Sequence, residues 1–357
     1  MKKNYNQIYG KWSLGTGYWL KGKLFKVSKE DILNDEIIDS YKSQILQDLY
    51  RIGLVRKIKD FSIMDVGTGR QALAFEKIGV KEIDLYDISK SNYDRFKKFK
   101  LDNHTIINNY RFDIGSKKFA KIKKRFDLIY LHGVVQHTKN PLTTIKNLSK
   151  KLKNKGFLWL YFYNFGSVKN IYLSLMREII LKKKIPILKI VKNLKPKLSK
   201  NKFDGIMDDL TCDYAHLLPA KYYMNIMNNF GFDLKYSKDF YPQEEISLRV
   251  SNVSCLSLFQ NSRIKRKIKK IKPIQYYDIL DKNFYCNEDK EIIGKLFILR
   301  KKIRNNIKQI NDSGLLLKIC LIYLKYSDKH YQFKPHDLIC NDLLKCLKKI
   351  EKISLKH

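Results

Sequence analysis

Apolar residues in the middle of the chain fall into short runs separated by stretches of helical spacing. Phe61 to Met64, Glu82 to Tyr86, Thr105 to Tyr110, Phe126 to Leu131 and Phe157 to Phe162 read as strands. Between them, Ala72, Leu73, Phe75 and Ile78, and then Tyr93, Phe96 and Phe99, recur at helical intervals. This alternation predicts an α/β fold whose parallel sheet is covered on both faces. Phe232 to Phe240 and Val253 to Phe259 supply two more strand candidates.

The flanks carry different patterns. Residues 1–55 open on aromatics crowded among glycines, too irregular for a regular element. A helical pattern then runs from Ser28 through Ile37, Tyr41, Ile45 and Leu49 to Gly53. Such an aromatic segment either packs on the main domain or closes over a ligand. Within the domain spanning 56–260, an insertion at 166–207 sets Ile171, Leu175, Ile179 and Ile180 among lysines, with Pro186 as a breaker. An amphipathic basic segment of this kind packs its apolar side inward, caps a site or lies on a membrane surface. Residues 261–357 begin with a basic linker, Arg263 to Pro273, and continue as helices over Asn287 to Ile310, Leu315 to Tyr326 and Asp337 to Ile353.

Charge changes the picture more than any other composition figure. Across 357 residues, 72 Lys and Arg stand against 35 Asp and Glu, a net charge of +37. The excess favours polyanionic partners, RNA or an anionic membrane surface, reached through the Lys-rich segments. A bias toward Lys, Ile and Asn explains part of the excess but not the scarcity of acids. Six cysteines show no C-x-x-C pair and no metal-ligand spacing with histidine, so no metal site is expected. The basic start lacks an apolar core, and no apolar run reaches the ~18 residues of a membrane span. Together these predict a cytoplasmic protein with no transmembrane segment.

The chemistry centres on the turn after the first strand. Asp65-Val66-Gly67-Thr68-Gly69 joins a strand to a helix, so unpaired helix N–H groups and the positive end of the helix dipole face the turn. A pyrophosphate dinucleotide site asks for a third glycine where Ala72 stands. The Asp-x-Gly-x-Gly phrase resembles the first motif of class I S-adenosylmethionine-dependent methyltransferases, although Gln71 occupies the place where many members carry a further glycine. The resemblance extends over about residues 56–260. It implies a Rossmann-like, doubly wound, mostly parallel seven-stranded sheet, here with N-terminal and C-terminal helical additions, and S-adenosylmethionine as cofactor.

Further matches follow in order. Asp87 ends the second strand, where the family's acidic residue accepts the ribose hydroxyls, and Asp113 resembles the acidic position near the adenine amino group. Either aspartate alone serves equally well as a helix cap or turn residue. Phe126-Asp127-Leu128-Ile129-Tyr130-Leu131-His132-Gly133-Val134-Val135-Gln136-His137, followed by Asn140-Pro141, is similar to the fourth motif of small-molecule members. There Gln136 replaces the first histidine of a frequent pair, and His132 falls at a position that lines the cofactor pocket. Cofactor-binding candidates are therefore Asp65, Gly67, Gly69, Asp87, Asp113 and His132.

His132 and His137 are also candidates for a catalytic base, since an unperturbed imidazole exchanges protons near neutral pH. A histidine after a strand equally serves as a structural hydrogen-bonder. Asp208 and His216 form a second catalytic group, in a segment resembling the one that completes the substrate face in bacterial members. The leading expectation is methyl transfer to a small-molecule, glycan or lipid-linked acceptor. RNA methylation is the alternative motivated by charge. His132-Gly133-Val134-Val135 lacks the Asn/Asp-Pro-Pro-aromatic motif of base-amino enzymes, and no cysteine lies near the fourth motif for cytosine C5 chemistry. A non-catalytic binding protein of the same fold is the third reading, motivated by Gln71 and Gln136.

Overall fold

The computed structural model describes residues 18–20, 23–25, 35–96, 105–163, 173–177, 179–180, 214–216, 220–240, 254–261, 287–306, 310, 312–327 and 335–354. By contacts the chain forms two units that interleave in sequence: 1–163 with 212–238 and 255–273, and 164–211 with 239–254 and 274–357.

The first unit begins with a hairpin where the sequence suggested no regular element. Strand β1 (Tyr18–Leu20) pairs antiparallel with β2 (Lys23–Phe25), setting Tyr18 opposite Phe25 and Trp19 opposite Leu24. Helix α1 (Asp35–Arg51) carries Asp35 and Glu36 in its first turn, complementing the helix dipole, and buries Ile38, Ile45 and Leu49.

Five parallel strands form the sheet that positions the site: β3 (Ser62–Val66), β4 (Glu82–Asp87), β5 (Ile106–Arg111), β6 (Phe126–His132) and β7 (Leu152–Tyr163). Their order is β5-β4-β3-β6-β7. The chain steps outward from β3 to β5, then crosses back to lay β6 on the other side of β3. The strand order therefore reverses between β3 and β6, and their carboxyl ends diverge into a crevice. Strands β3, β4 and β6 are buried almost without interruption, as expected when helices cover both faces. These helices are α2 (Arg70–Ile78), α3 (Lys90–Phe96), the single turn α4 (Lys117–Ala120) and α5 (Pro141–Ser149). The last starts at Asn140, whose side chain accepts from the Thr143 N–H at 3.0 Å, with Pro141 in its first turn. Helix α6 (Ala220–Asn229) and strands β8 (Phe232–Phe240) and β9 (Ser254–Asn261) follow.

Strand β7 starts five residues before the apolar run that announces it. Lys153, Asn154 and Lys155 interrupt the alternation, and the pairing with β6 shifts register between Phe126 and Leu128. Lys155 sits at φ 59. A Cβ on Gly156 would lie 3.0 Å from the Lys153 carbonyl oxygen and 3.1 Å from that of Phe126, so only glycine lets the two backbones approach. Below this irregularity Asp127 ties three strands together, accepting from the Ser62 N–H at 2.9 Å and from Lys153 Nζ at 2.7 Å. Burial opposes its ionisation, but Lys153 and Ser62 prevail and hold the carboxyl below its usual value.

In the second unit, α7 (Asn287–Asn306) and α8 (Ser313–Ser327) both pack on α9 (Pro335–Ser354). Leu299, Ile303, Ile319, Cys320, Leu343, Cys346 and Ile350 fill the space between them. The described part of the insertion is helical and buries Leu175, Met176, Ile179 and Ile180, so these positions face a core rather than a surface. Among the described residues no helix is long and apolar enough to cross a membrane.

The junction of β3 and α2 yields a stability prediction. Gly69 caps α2 at φ 91, and a Cβ there would meet the Phe96 ring at 2.5 Å and Leu85 at 3.2 Å. Gly79, at the other end of the same helix, has the same φ of 91 but no neighbour closer than 3.6 Å. Gly69→Ala should cost about 3 kcal/mol by strain plus overpacking, and Gly79→Ala about 1 kcal/mol by strain alone. Denaturant midpoints of the two variants measure the difference.

Candidate functional site

The carboxyl ends of β3, β4 and β6 bring together most residues that the motifs single out. Asp65 is fully buried, flanked in the sheet by Leu85 and Tyr130. Its Oδ2 accepts from the Ala72 N–H at 3.0 Å, which supplies the side-chain cap that Gly69 cannot provide. Its Oδ1 is buried with no partner in the protein. Burial raises the carboxyl to about 7, against the lowering pull of the Ala72 and Val66 N–H groups. Gly67, at φ 139, donates its N–H to the Tyr86 carbonyl at 3.0 Å and holds the turn against β4.

Asp87 and Asp113 both close local turns. Asp87 accepts from the Ser89 N–H at 2.7 Å and from the Asn92 side chain at 2.8 Å. Burial raises its carboxyl to about 6, partly offset by those donors. Asp113 accepts from the Gly115 N–H at 2.8 Å. The cap and ligand readings are therefore compatible, because two carboxylate oxygens offer about four lone-pair sites.

His132 differs from the reading of it as a base. Its ring stacks on Tyr161 with centroids 4.1 Å apart and planes at 8°, while Tyr41 of α1 meets its edge at 5.6 Å. Burial, with a smaller contribution from the Arg70 charge, lowers its pKa to about 3. The ring is neutral at any working pH and too weak a base for proton removal at pH 7. It forms an aromatic wall.

Three contributors to this wall carry no motif signal. Arg70 lies with its guanidinium 5.3 Å from the Tyr41 ring centroid, its charge acts on both Asp65 and His132, and its Nε–H is buried without a partner in the protein. Tyr41 reads as one more helical position of α1. Tyr161 faces His132 only because register pairs the two residues. Asp65 Oδ1 and Arg70 thus pair an acceptor with a cation near the crevice, an arrangement that fits a group bearing both an ammonium and a carboxylate. The amino-acid end of S-adenosylmethionine has that chemistry.

The histidines beyond β6 form a clamp. His137 Nδ1 lies 2.9 Å from the Tyr214 carbonyl oxygen, and the His216 N–H donates to the Gln136 carbonyl at 2.8 Å. A carbonyl only accepts, so Nδ1 carries the proton and the lone pair resides on Nε2. His137 and His216, taken from separate stretches of sequence, are joined here through backbone groups. Asp208 lies outside the described residues.

Between the clamp's two bonds, the Gln136 side chain is completely buried and neither end of its amide has a partner in the protein. Each such group costs about 1–3 kcal/mol when unsatisfied. Gln136→Leu should therefore raise the unfolding free energy by about 1 kcal/mol or more, leaving the clamp's two bonds in place. Parallel denaturation of the variant and the wild type tests the effect.

Residues 64–160 match the family model described as a methyltransferase domain. A ubiquinone biosynthesis O-methyltransferase of Pelagibacter ubique is 26% identical over 143 residues, covering 40% of this chain and 58% of that protein. The match therefore spans little more than half of the relative's length. Among solved structures, an S-adenosylmethionine-dependent methyltransferase from Mesorhizobium loti is 13% identical at a TM-score of 0.43, covering 62% of this chain and 99% of that one. A magnesium protoporphyrin IX methyltransferase from Synechocystis, solved with S-adenosylhomocysteine, is 14% identical at a TM-score of 0.40, covering 65% and 84%. The domain match begins within β3, runs through the glycine turn and Gln136-His137 and ends in β7, so residues 64–160 carry a methyltransferase domain of the class I S-adenosylmethionine-dependent type.

Proposed function

We propose that the protein methylates a hydroxyl group on a small acceptor carrying a flat ring, with glycan and lipid-linked hydroxyls as members of the same acceptor class. The observation that carries the reading is the orphaned Asp65 oxygen beside Arg70, at the crevice where the sheet order reverses. The oxygen acceptor draws support from the Pelagibacter ubique relative, whose name is that of an O-methyltransferase. The wall of His132, Tyr161 and Tyr41 supports a flat substrate. On the same reading β9 and β8 extend the sheet beyond β7 to seven strands, a reading the strand order supports, with α1 and the helices of the second unit as additions.

In this mechanism Asp65 and Arg70 would hold the amino-acid end of the cofactor, Asp87 would accept from the ribose hydroxyls and Asp113 would serve the adenine amino group. When bound, S-adenosylmethionine supplies a methyl on a sulfonium sulfur, open to in-line attack by an oxygen lone pair. The aromatic wall keeps water from that line. His137 Nε2 would take the proton that the acceptor hydroxyl gives up. Tyr214 holds the ring in the tautomer this requires. His216 positions the clamp through its backbone N–H.

Two measurements test the assignment. An ammonium is held by ionised Asp65, whose raised pKa leaves the carboxyl protonated below about 7. Cofactor affinity should accordingly weaken about tenfold per unit as pH falls below 7, with proton release on binding, and Asp65→Asn should flatten that dependence. Asp87→Asn should remove the further loss that sets in below about 6. Calorimetry in buffers of different ionisation heat reads both, and a wild-type affinity independent of pH from 5.5 to 7.5 refutes the Asp65 role. His137→Asn should lower kcat by about 10²–10⁴ while leaving cofactor affinity unchanged. The acceptor screen needed for that assay should include RNA, the alternative suggested by the charge of +37.

A further inference from the structure

The described lysines of α9 are not scattered. On α9, Lys345, Lys348, Lys349 and Lys352 are exposed and follow one another at i, i+3, i+4 and i+7, one face of the helix. Leu343, Cys346, Leu347 and Ile350 occupy the opposite face and are buried. Two aliphatic side chains interrupt the basic surface: Leu344 of α9, 38% exposed, and Ile298 of α7, 50% exposed. Leu344 shares a helical row with Lys348 and Glu351, and Ile298 shares one with Lys302. Lys302 pairs with Glu351 across the two helices, so both rows border the same seam and the Glu351 carboxylate is engaged.

We propose that this face of α7 and α9 docks the protein on an anionic lipid surface. The lysines meet headgroup phosphates, while Ile298 and Leu344 enter the boundary with the acyl chains. A basic face with aliphatic side chains among the lysines is what an interfacial helix needs. RNA makes different demands, because its bases are read by stacking on aromatic rings. No aromatic side chain stands among the described exposed residues of either helix.

The test uses the full chain and vesicles of phosphatidylcholine with or without phosphatidylglycerol, read by co-sedimentation across a salt series. Binding should require phosphatidylglycerol and fall with salt. The combined variant Lys345→Glu, Lys349→Glu, Lys352→Glu should reduce partitioning on the order of a hundredfold. The pair Ile298→Gln, Leu344→Gln should reduce it about tenfold. Far-UV circular dichroism and cofactor affinity should be unchanged in both, and Lys→Gln versions serve if charge reversal unsettles α9. Wild-type partitioning in the lysine variant overturns the proposal. So does an aliphatic pair without effect. So does an RNA oligonucleotide that binds the wild type but not the lysine variant while vesicles bind neither.

Discussion

A carboxylate buried between hydrophobic strands must be satisfied from very near by, and the arrangement around β3 answers that demand. Asp65 spends one oxygen on the first turn of α2. The chain can reach that geometry only through a left-handed residue with no side chain, because Phe96 of α3 presses on Gly69. Strand, turn and two helices thus become one rigid piece, and the second Asp65 oxygen is left pointing nowhere within the protein. The proposed affinity for a cationic group rests on how the helix is capped.

The electrostatics of the crevice have a common cause. Burial lifts Asp65 and Asp87 toward neutrality and drives His132 down to the same uncharged state. Near neutral pH the lining therefore carries the charges of Asp87 and of Arg70, which rests on the Tyr41 ring, while Asp65 stands between its two forms. A zwitterionic ligand would restore the ionised form of Asp65, so that ligand and carboxylate reinforce one another. The tautomer of His137 is set by a backbone carbonyl 77 positions away in sequence.

The framework was legible in the sequence to the extent that burial is written in apolar runs. Strands β3, β4 and β6 stand out because both their faces are covered, and the glycines of the turn are visible because few other residues tolerate their conformation. Asp65 and Asp87 could be placed from the turn, but not their protonation. That property depends on neighbours brought in from other strands. Tyr41 and Tyr161 were invisible for a similar reason, one being a helix position like its neighbours and the other acquiring its partner only through register. The start of β7 was hidden by its own charges, Lys153 and Lys155, and the short hairpin by the glycines around it.

The irregularity between β6 and β7 acts as a phase shifter. Across it the partner offset changes by three residues, from Phe126 with Leu152 to Leu128 with Phe157. An odd displacement exchanges the two faces of a strand. With the earlier offset His132 would stand beside Leu158, an aliphatic residue; with the later one it stands beside Tyr161. The character of the wall at the carboxyl end is therefore chosen about 13 Å away, by three polar residues and a glycine that touch no ligand. A single residue gained or lost at that bend would exchange the faces of β7 again and set a different side chain beside His132.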